Sequence, residues 1–131
     1  MGVDDFAFWI YQWAFSAASA TIVAGTLAER CKMSAYVYYT VLVSGFVYPV
    51  VAHSIWSTNG FLSYTKPDPL FGVGVLDFAG SGVVHMTGGT IALTATWVLG
   101  PRRGRFHDEK TGEILDKPRD IKGHNMGLQV R

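Results

Sequence analysis

Charge is what this sequence has least of. Lys, Arg, Asp and Glu make up 16% of the 131 residues, against roughly 25% in a typical soluble domain. What charge there is lies unevenly: 13 of the 21 charged residues fall in the last 31 positions. Between Phe6 and Leu99 there are six, namely Glu29, Arg30, Lys32, Lys66, Asp68 and Asp77. That excludes an ordinary soluble domain wrapped in a charged shell. A net charge of +1 with no basic stripe before the tail excludes a nucleic-acid binder. Cysteine is nearly absent too. Cys31 stands alone, so neither an internal disulfide framework nor a cysteine metal site is available. No nucleophile elbow, phosphate-binding loop, metal-spaced histidine cluster or internal repeat is present.

What is there is apolar. Hydrophobic residues make up 49% and aromatics 14%, and the charges divide the first hundred residues into three uncharged runs. These are Phe6 to Ala28, Met33 to Thr65 and Phe78 to Pro101, of 23, 33 and 24 residues. A helix crossing a ~30 Å hydrocarbon core needs about 20 mostly apolar residues. The reading is therefore all-α, a polytopic transmembrane helical bundle with spans at about 6–28, 34–55 and 78–99 and a polar loop over 101–131. The first run is no secretory signal, because Asp4 and Asp5 precede it and no basic region does.

Orientation follows from the basic residues. Arg30 and Lys32 sit between spans one and two, and eight more Lys and Arg follow span three. Three alternating spans put ten of the eleven on one side, which should be cytoplasmic. The N-terminus and the loop from Ser57 to Leu76 should then face outward. Trp9, Tyr11 and Trp13 near one end, and Trp97 near the other, fit interfacial aromatic belts. The tail closes on the apolar stretch MGLQV and stops, which points to a truncated chain.

Small residues crowd the first span, from Ala14 and Ser16 through Thr21 to Gly25, and small residues let helix backbones approach closely in lipid. His85 is an ionisable residue seven positions into the third run, and such a residue at bilayer depth is a functional candidate. Its neighbours at three and four residues are Ser81, Gly82, Gly88 and Gly89, so the imidazole stands on a cleared patch of helix. Asp77 precedes the third span at an N-cap position. A carboxylate there also favours a cation at a pore mouth, roughly 12 Å above His85. Trp56 ends span two on the outer side and Phe15 lies in the outer half of span one. Both offer faces for cation–π attraction. Gln12 is one turn above Phe15 on the same face. His53 reads as interfacial packing, and His107 and His124 as solvated.

Taken together, these residues form a recognisable set. The stretch DFAGSGVVHMTGG from Asp77 resembles the signature of the ammonium transporter family, the Amt/Mep branch of the Amt/Mep/Rh superfamily. AFSAASATIVAGTLAERCKMSAY resembles its third helix, the short AER turn and the start of its fourth. YPVVAHSIW resembles the end of the fourth. GPRRGRF with the later KGHN resembles the following loop in plant-type and protist members. The resemblance implies an eleven-helix subunit, a pore in each subunit and a homotrimer, with this chain supplying helices three to five. Residue by residue, it implies that Trp56 and Asp77 belong to an outer ammonium-recruitment site and Phe15 to the pore gate. It further implies that His85 lines the pore and that Gln12 supports the vestibule. A second gate phenylalanine, a vestibule serine and a second pore histidine have no counterpart here. The loop between Trp56 and Asp77 is longer than in compact bacterial members, and Ser57 stands where many members have glycine.

The implied function is ammonium and ammonia transport across the bilayer, most naturally the plasma membrane. The cation is recruited at the aromatic site and deprotonated, and neutral ammonia passes Phe15 and a His85-lined channel. No enzyme activity, cofactor, metal or nucleic acid is implied. With three of eleven helices, the chain alone is expected to be an incomplete fragment without transport. Two other readings stay open here. One is an ammonium-sensing, non-transporting membrane protein. The other is a small membrane-embedded enzyme using His85 and Asp77 as an acid–base pair.

Overall fold

The structure is a computed structural model and describes residues 2–120. Lys122, His124 and the terminal MGLQV, which the sequence reading assigns to the polar loop, lie outside the described residues. Within them the protein is all-helical, with no strand and two isolated bridges, Ser63 to Val75 and His107 to Ile114. Three helices are long and apolar enough to cross a membrane: α1 (Val3–Leu27), α2 (Met33–Trp56) and α3 (Ser81–Leu99).

The small residues of α1 form its packing stripe. Ser16, Ser19, Ala20, Val23 and Leu27 are its buried positions, spaced three and four apart along one face. α3 lies against that stripe at Gly88. A Cβ built on Gly88 would sit 2.9 Å from the Ser19 carbonyl oxygen and 3.0 Å from Ile22 Cβ. Only glycine allows this approach. α2 is tied to the other side of α1 by two hydrogen bonds. The Tyr39 hydroxyl donates to the Ala20 carbonyl at 2.7 Å and the Ser16 hydroxyl to the Ser44 carbonyl at 3.3 Å. Tyr48, Val83 and Val84 form the buried core where the helices meet, with Phe15, Ile22, Val51 and Trp56 packed around it. Elsewhere large side chains such as Val41, Phe46, Leu93 and Trp97 remain exposed, as suits faces turned to lipid or to further helices.

Neither α2 nor α3 is α-helical throughout. Val43–Val47 is a π turn, closed by the Tyr48 N–H donating to the Val43 carbonyl five residues back. Pro49 explains it. Proline brings no N–H to the ladder and crowds the carbonyl four residues back, and the widened turn relieves both. A second π turn, Ser81–Met86, opens α3. It begins three residues later than the uncharged run because Ala79 and Gly80 take left-handed backbone, with φ of 53° and 75°, and so form a turn before the helix.

At the opposite end the turn after α1 is bound to the start of the tail. Arg30 Nε donates to the Gly100 carbonyl at 2.8 Å and its guanidinium to the Thr26 carbonyl at 2.6 Å. Arg102 pairs with Glu29 at 3.3 Å, the one ion pair among the described residues. The Arg103 N–H donates to the Glu29 carbonyl at 2.9 Å. Guanidinium groups thus satisfy the orphan carbonyls that helix C-termini present. The turn at 29–32 and the tail share one end of the bundle.

Gly88→Ala is expected to destabilise the chain in detergent micelles by about 1–3 kcal/mol, because backbone has to move. Gly89→Ala, where nothing lies within 4 Å of the built Cβ, is expected to be neutral or stabilising by up to about 1 kcal/mol. Denaturant unfolding of both variants by circular dichroism checks the pair. Equal effects would mean that Gly88 is not the contact point.

Candidate functional site

The site is built around the carboxylate of Asp77. Asp77 is not the N-cap residue of α3, as its sequence position suggests. Gly80 holds that place, and the Ala79–Gly80 turn folds the Asp77 side chain back over the helix end. Oδ1 accepts the Gly82 N–H at 2.6 Å and the Ser81 hydroxyl at 3.2 Å. Oδ2 accepts the Trp56 indole N–H at 2.8 Å and the Val83 N–H at 3.5 Å. A carboxylate has about four acceptor positions, and all are taken by the protein. Partial burial by itself pushes the Asp77 carboxyl up. The donors from Gly82, Trp56, Val83 and Ser81 outweigh it, and the group is held below the usual carboxylate value.

The bond from Trp56 fixes the indole at the C-terminal end of α2. The loop that returns to Asp77 is laid over the same helix end. The Leu62 N–H donates to the Ser54 carbonyl at 3.0 Å and the Val75 N–H to the Leu62 carbonyl at 2.7 Å. Trp56 meets Phe15 of α1 edge to face, with centroids 5.6 Å apart and planes at 75°. Phe15 in turn meets Tyr11 in the same manner at 4.8 Å and 86°. These three rings, Gln12, Asp77 and the Ala79–Gly80 turn line an open cleft of about 510 Å³.

Four of the five residues singled out from the sequence therefore meet: Gln12, Phe15, Trp56 and Asp77 share one cleft. His85 does not line it. It lies in the π turn of α3, four residues past Ser81, and is exposed on the helix surface. It comes four residues after the helix start at Ser81, where the uncharged run alone would count it from Phe78. Its surroundings are also less open than the small neighbours imply. Gly82 is spoken for by Asp77, whose Oδ1 would lie 3.1 Å from a Cβ there, and Gly88 by α1, while Gly89 faces open space. Tyr11 was assigned to the interfacial belt and instead stands at the cleft. Its position four residues before Phe15, one helical turn away, was the available signal. Gln12 also borders a second cleft of about 370 Å³ with Trp9, Trp13, Ser16 and Tyr48, on the α2 side of α1. Among the described residues no group of three or more His, Cys, Asp or Glu is placed to hold a metal.

Chemically, the cleft offers aromatic faces for a cation and a fixed negative charge whose lone pairs are already engaged. A ligand in the cleft would meet Asp77 through its field and through the indole that it orients.

Comparison with known proteins covers nearly the whole chain. The model of the Ammonium Transporter Family matches residues 2–130. Ammonium transporter 1 member 3 of Solanum lycopersicum is 47% identical over 126 residues, covering 96% of this chain and 26% of that protein. Putative ammonium transporter 1 member 5 of Arabidopsis thaliana is 52% identical over 128 residues, covering 97% and 25%. Ammonium transporter 1 member 2 of Oryza sativa subsp. japonica is 51% identical over 128 residues, covering 96% and 25%. The chain spans about a quarter of the length of these curated relatives. No solved structure matches it.

Because its pKa is lowered by folding, Asp77 contributes stability that is complete above the unfolded carboxylate value of about 3.9 and is lost as pH falls through the lower folded value. Acid titration in micelles, followed by tryptophan emission, is expected to show a transition with a midpoint below 3.8. That transition should vanish in Asp77→Asn and move to higher pH in Trp56→Phe, which removes one of the four donors. A midpoint at or above 3.8, or one indifferent to both substitutions, would separate the indole from the carboxylate.

Proposed function

This chain belongs to the ammonium transporter family, and on that premise we propose that it carries the outer recruitment site and part of the pore wall for ammonium transport across a membrane. The observation that carries the reading is the cleft in which Tyr11, Phe15 and Trp56 converge above the buttressed Asp77 carboxylate. An ammonium ion exchanges its water for the aromatic faces, each worth about 0.5–2 kcal/mol according to desolvation. Asp77 supplies attraction without ligation, since its acceptor positions are occupied. An ionised carboxylate at this place raises the local cation concentration at the mouth.

Below the cleft the physics selects against charge. A desolvated cation at bilayer depth is costly, whereas ammonia is neutral. Transfer of one proton from the recruited ion to water in the open cleft leaves ammonia to pass Phe15, the gate, and continue along a wall that includes His85, whose imidazole hydrogen-bonds the passing molecule. Gln12 supports the vestibule. In this reading the basic end, with the 29–32 turn and the tail, is cytoplasmic, the recruitment cleft is outside, the membrane is the plasma membrane and the assembly is a homotrimer. The remaining pore walls come from segments that the relatives possess beyond the quarter matched here. The acid–base enzyme reading finds no support in a carboxylate whose lone pairs are all engaged, and the relatives bear the names of transporters.

The direct test is a graft. The chain replaces the matched segment of the tomato relative, and ammonium uptake is measured in cells that lack uptake of their own. The graft is expected to transport. Trp56→Leu is expected to raise the half-saturating ammonium concentration by about tenfold, in line with the loss of one cation–π face and its hydrogen bond. Trp56→Phe, which keeps a ring and loses the donor, is expected to fall between. His85→Ala is expected to abolish ammonium-dependent flux. Unchanged concentration dependence in Trp56→Leu, or unchanged flux in His85→Ala, would overturn the corresponding role.

The unmodified chain reconstituted in liposomes is expected to show no ammonia-specific flux. Flux from the chain alone would overturn the view that further walls are needed.

A further inference from the structure

The basic end of the bundle carries a feature that ammonium transport does not use. Two clefts of about 620 Å³ each flank the segment 103–105 just beyond α3, and Arg103, Gly104, Arg105 and Glu109 border both. One of them is amphipathic along its length. Leu99, Pro101 and Phe106 form its apolar side, where the membrane helix ends, and Arg102, Arg103 and Arg105 its basic side. Arg105 also lies over the Phe106 ring, 5.9 Å from its centroid, and donates to the Arg119 carbonyl. Trp97, 85% exposed on the last turns of α3, marks the same level as a membrane–water interface.

The charges facing this cleft can be tallied. Arg102 is paired with Glu29, which lines the neighbouring cleft. Asp108 is turned into its own loop, where its Oδ1 accepts the Lys110 and Thr111 N–H groups at 2.8 and 3.1 Å. Glu109 packs over Gly104 and is the one acid that faces the cleft from both sides. Against it stand Arg103 and Arg105, so that the balance is basic.

We propose that this cleft binds the headgroup of an anionic phospholipid from the adjoining leaflet. Arg103 and Arg105 hold the phosphate, and Leu99 and Phe106 lie along the glycerol and first methylenes. A phosphate held by paired guanidiniums suits arginine's planar fork, and juxtamembrane basic clusters attract anionic lipids. The lipid would bridge the end of α3 to the turn after α1, the junction already closed by Arg30 and Arg102. The proposal needs the chain to sit in a bilayer and is independent of what the chain conducts.

Native mass spectrometry of the whole chain in detergent, titrated with phosphatidylserine, phosphatidylcholine or inorganic phosphate, tests it. One phosphatidylserine is expected to bind in preference to phosphatidylcholine. The double variant Arg103→Gln, Arg105→Gln is expected to weaken phosphatidylserine at least about tenfold and leave phosphatidylcholine unchanged. Glu109→Gln leaves the helices untouched and is expected to tighten phosphatidylserine a few-fold. It keeps the test decisive should the double variant fail to fold. Equal binding of the two lipids, or indifference to Glu109→Gln, would overturn the proposal. Competition by millimolar inorganic phosphate would do the same, by identifying a soluble-phosphate site.

Discussion

The bond between the Trp56 indole and the Asp77 carboxylate ties the end of α2 to the start of α3. The same carboxylate closes the first turn of α3 through Gly82, Val83 and Ser81, so one side chain sets the start of a helix and the posture of a ring on its neighbour. In a setting poor in water, free N–H groups at a helix start are costly. The carboxylate that satisfies them is charged, and this charge is what gives the mouth of the cleft its polarity. Structural and electrostatic roles are therefore carried by the same four hydrogen bonds.

The rest of the bundle follows from how helices associate where no hydrophobic effect drives them together. α1 supplies a stripe of small residues, α3 approaches it at Gly88, and α2 attaches through hydroxyl-to-carbonyl bonds rather than through interdigitated bulk. At the far end, arginines from the turn and the tail cap the last carbonyls of α1 and α3. The cleft is thus framed at one end by the Asp77 cluster, while the helices that bear it are pinned at the other.

Much of the fold was legible because it rests on length and hydropathy. Three uncharged runs of more than 20 residues admit few arrangements in a chain with 21 charges. The gathering of Gln12, Phe15, Trp56 and Asp77 was legible only through the family motifs, because residues 65 positions apart leave no trace of contact in composition. The parts that escaped notice depend on backbone detail. Periodicity assumes a uniform α-helix, so the later start of α3 at Ser81 and the place of His85 within a π turn were hidden. Nothing in an alanine before a glycine announces that Ala79 is left-handed. Pro49 did carry a signal for the turn above it. Tyr11 was assigned by residue type to a lipid-facing belt, although its spacing from Phe15 already placed both rings on one face.

The two π turns have a further consequence for how the helices are phased. Each inserts one residue into a turn, and one residue corresponds to about 100° around a helix axis. In α3 the residues that receive Asp77, Ser81 to Val83, lie within such a turn and Gly88 follows it; in α2 Ser44 lies within one and Trp56 follows it. Each helix is in effect two shafts coupled out of phase. The angular setting of the residues that pack the helices together is thereby offset from that of a uniform α-helix carrying the same aromatic cleft.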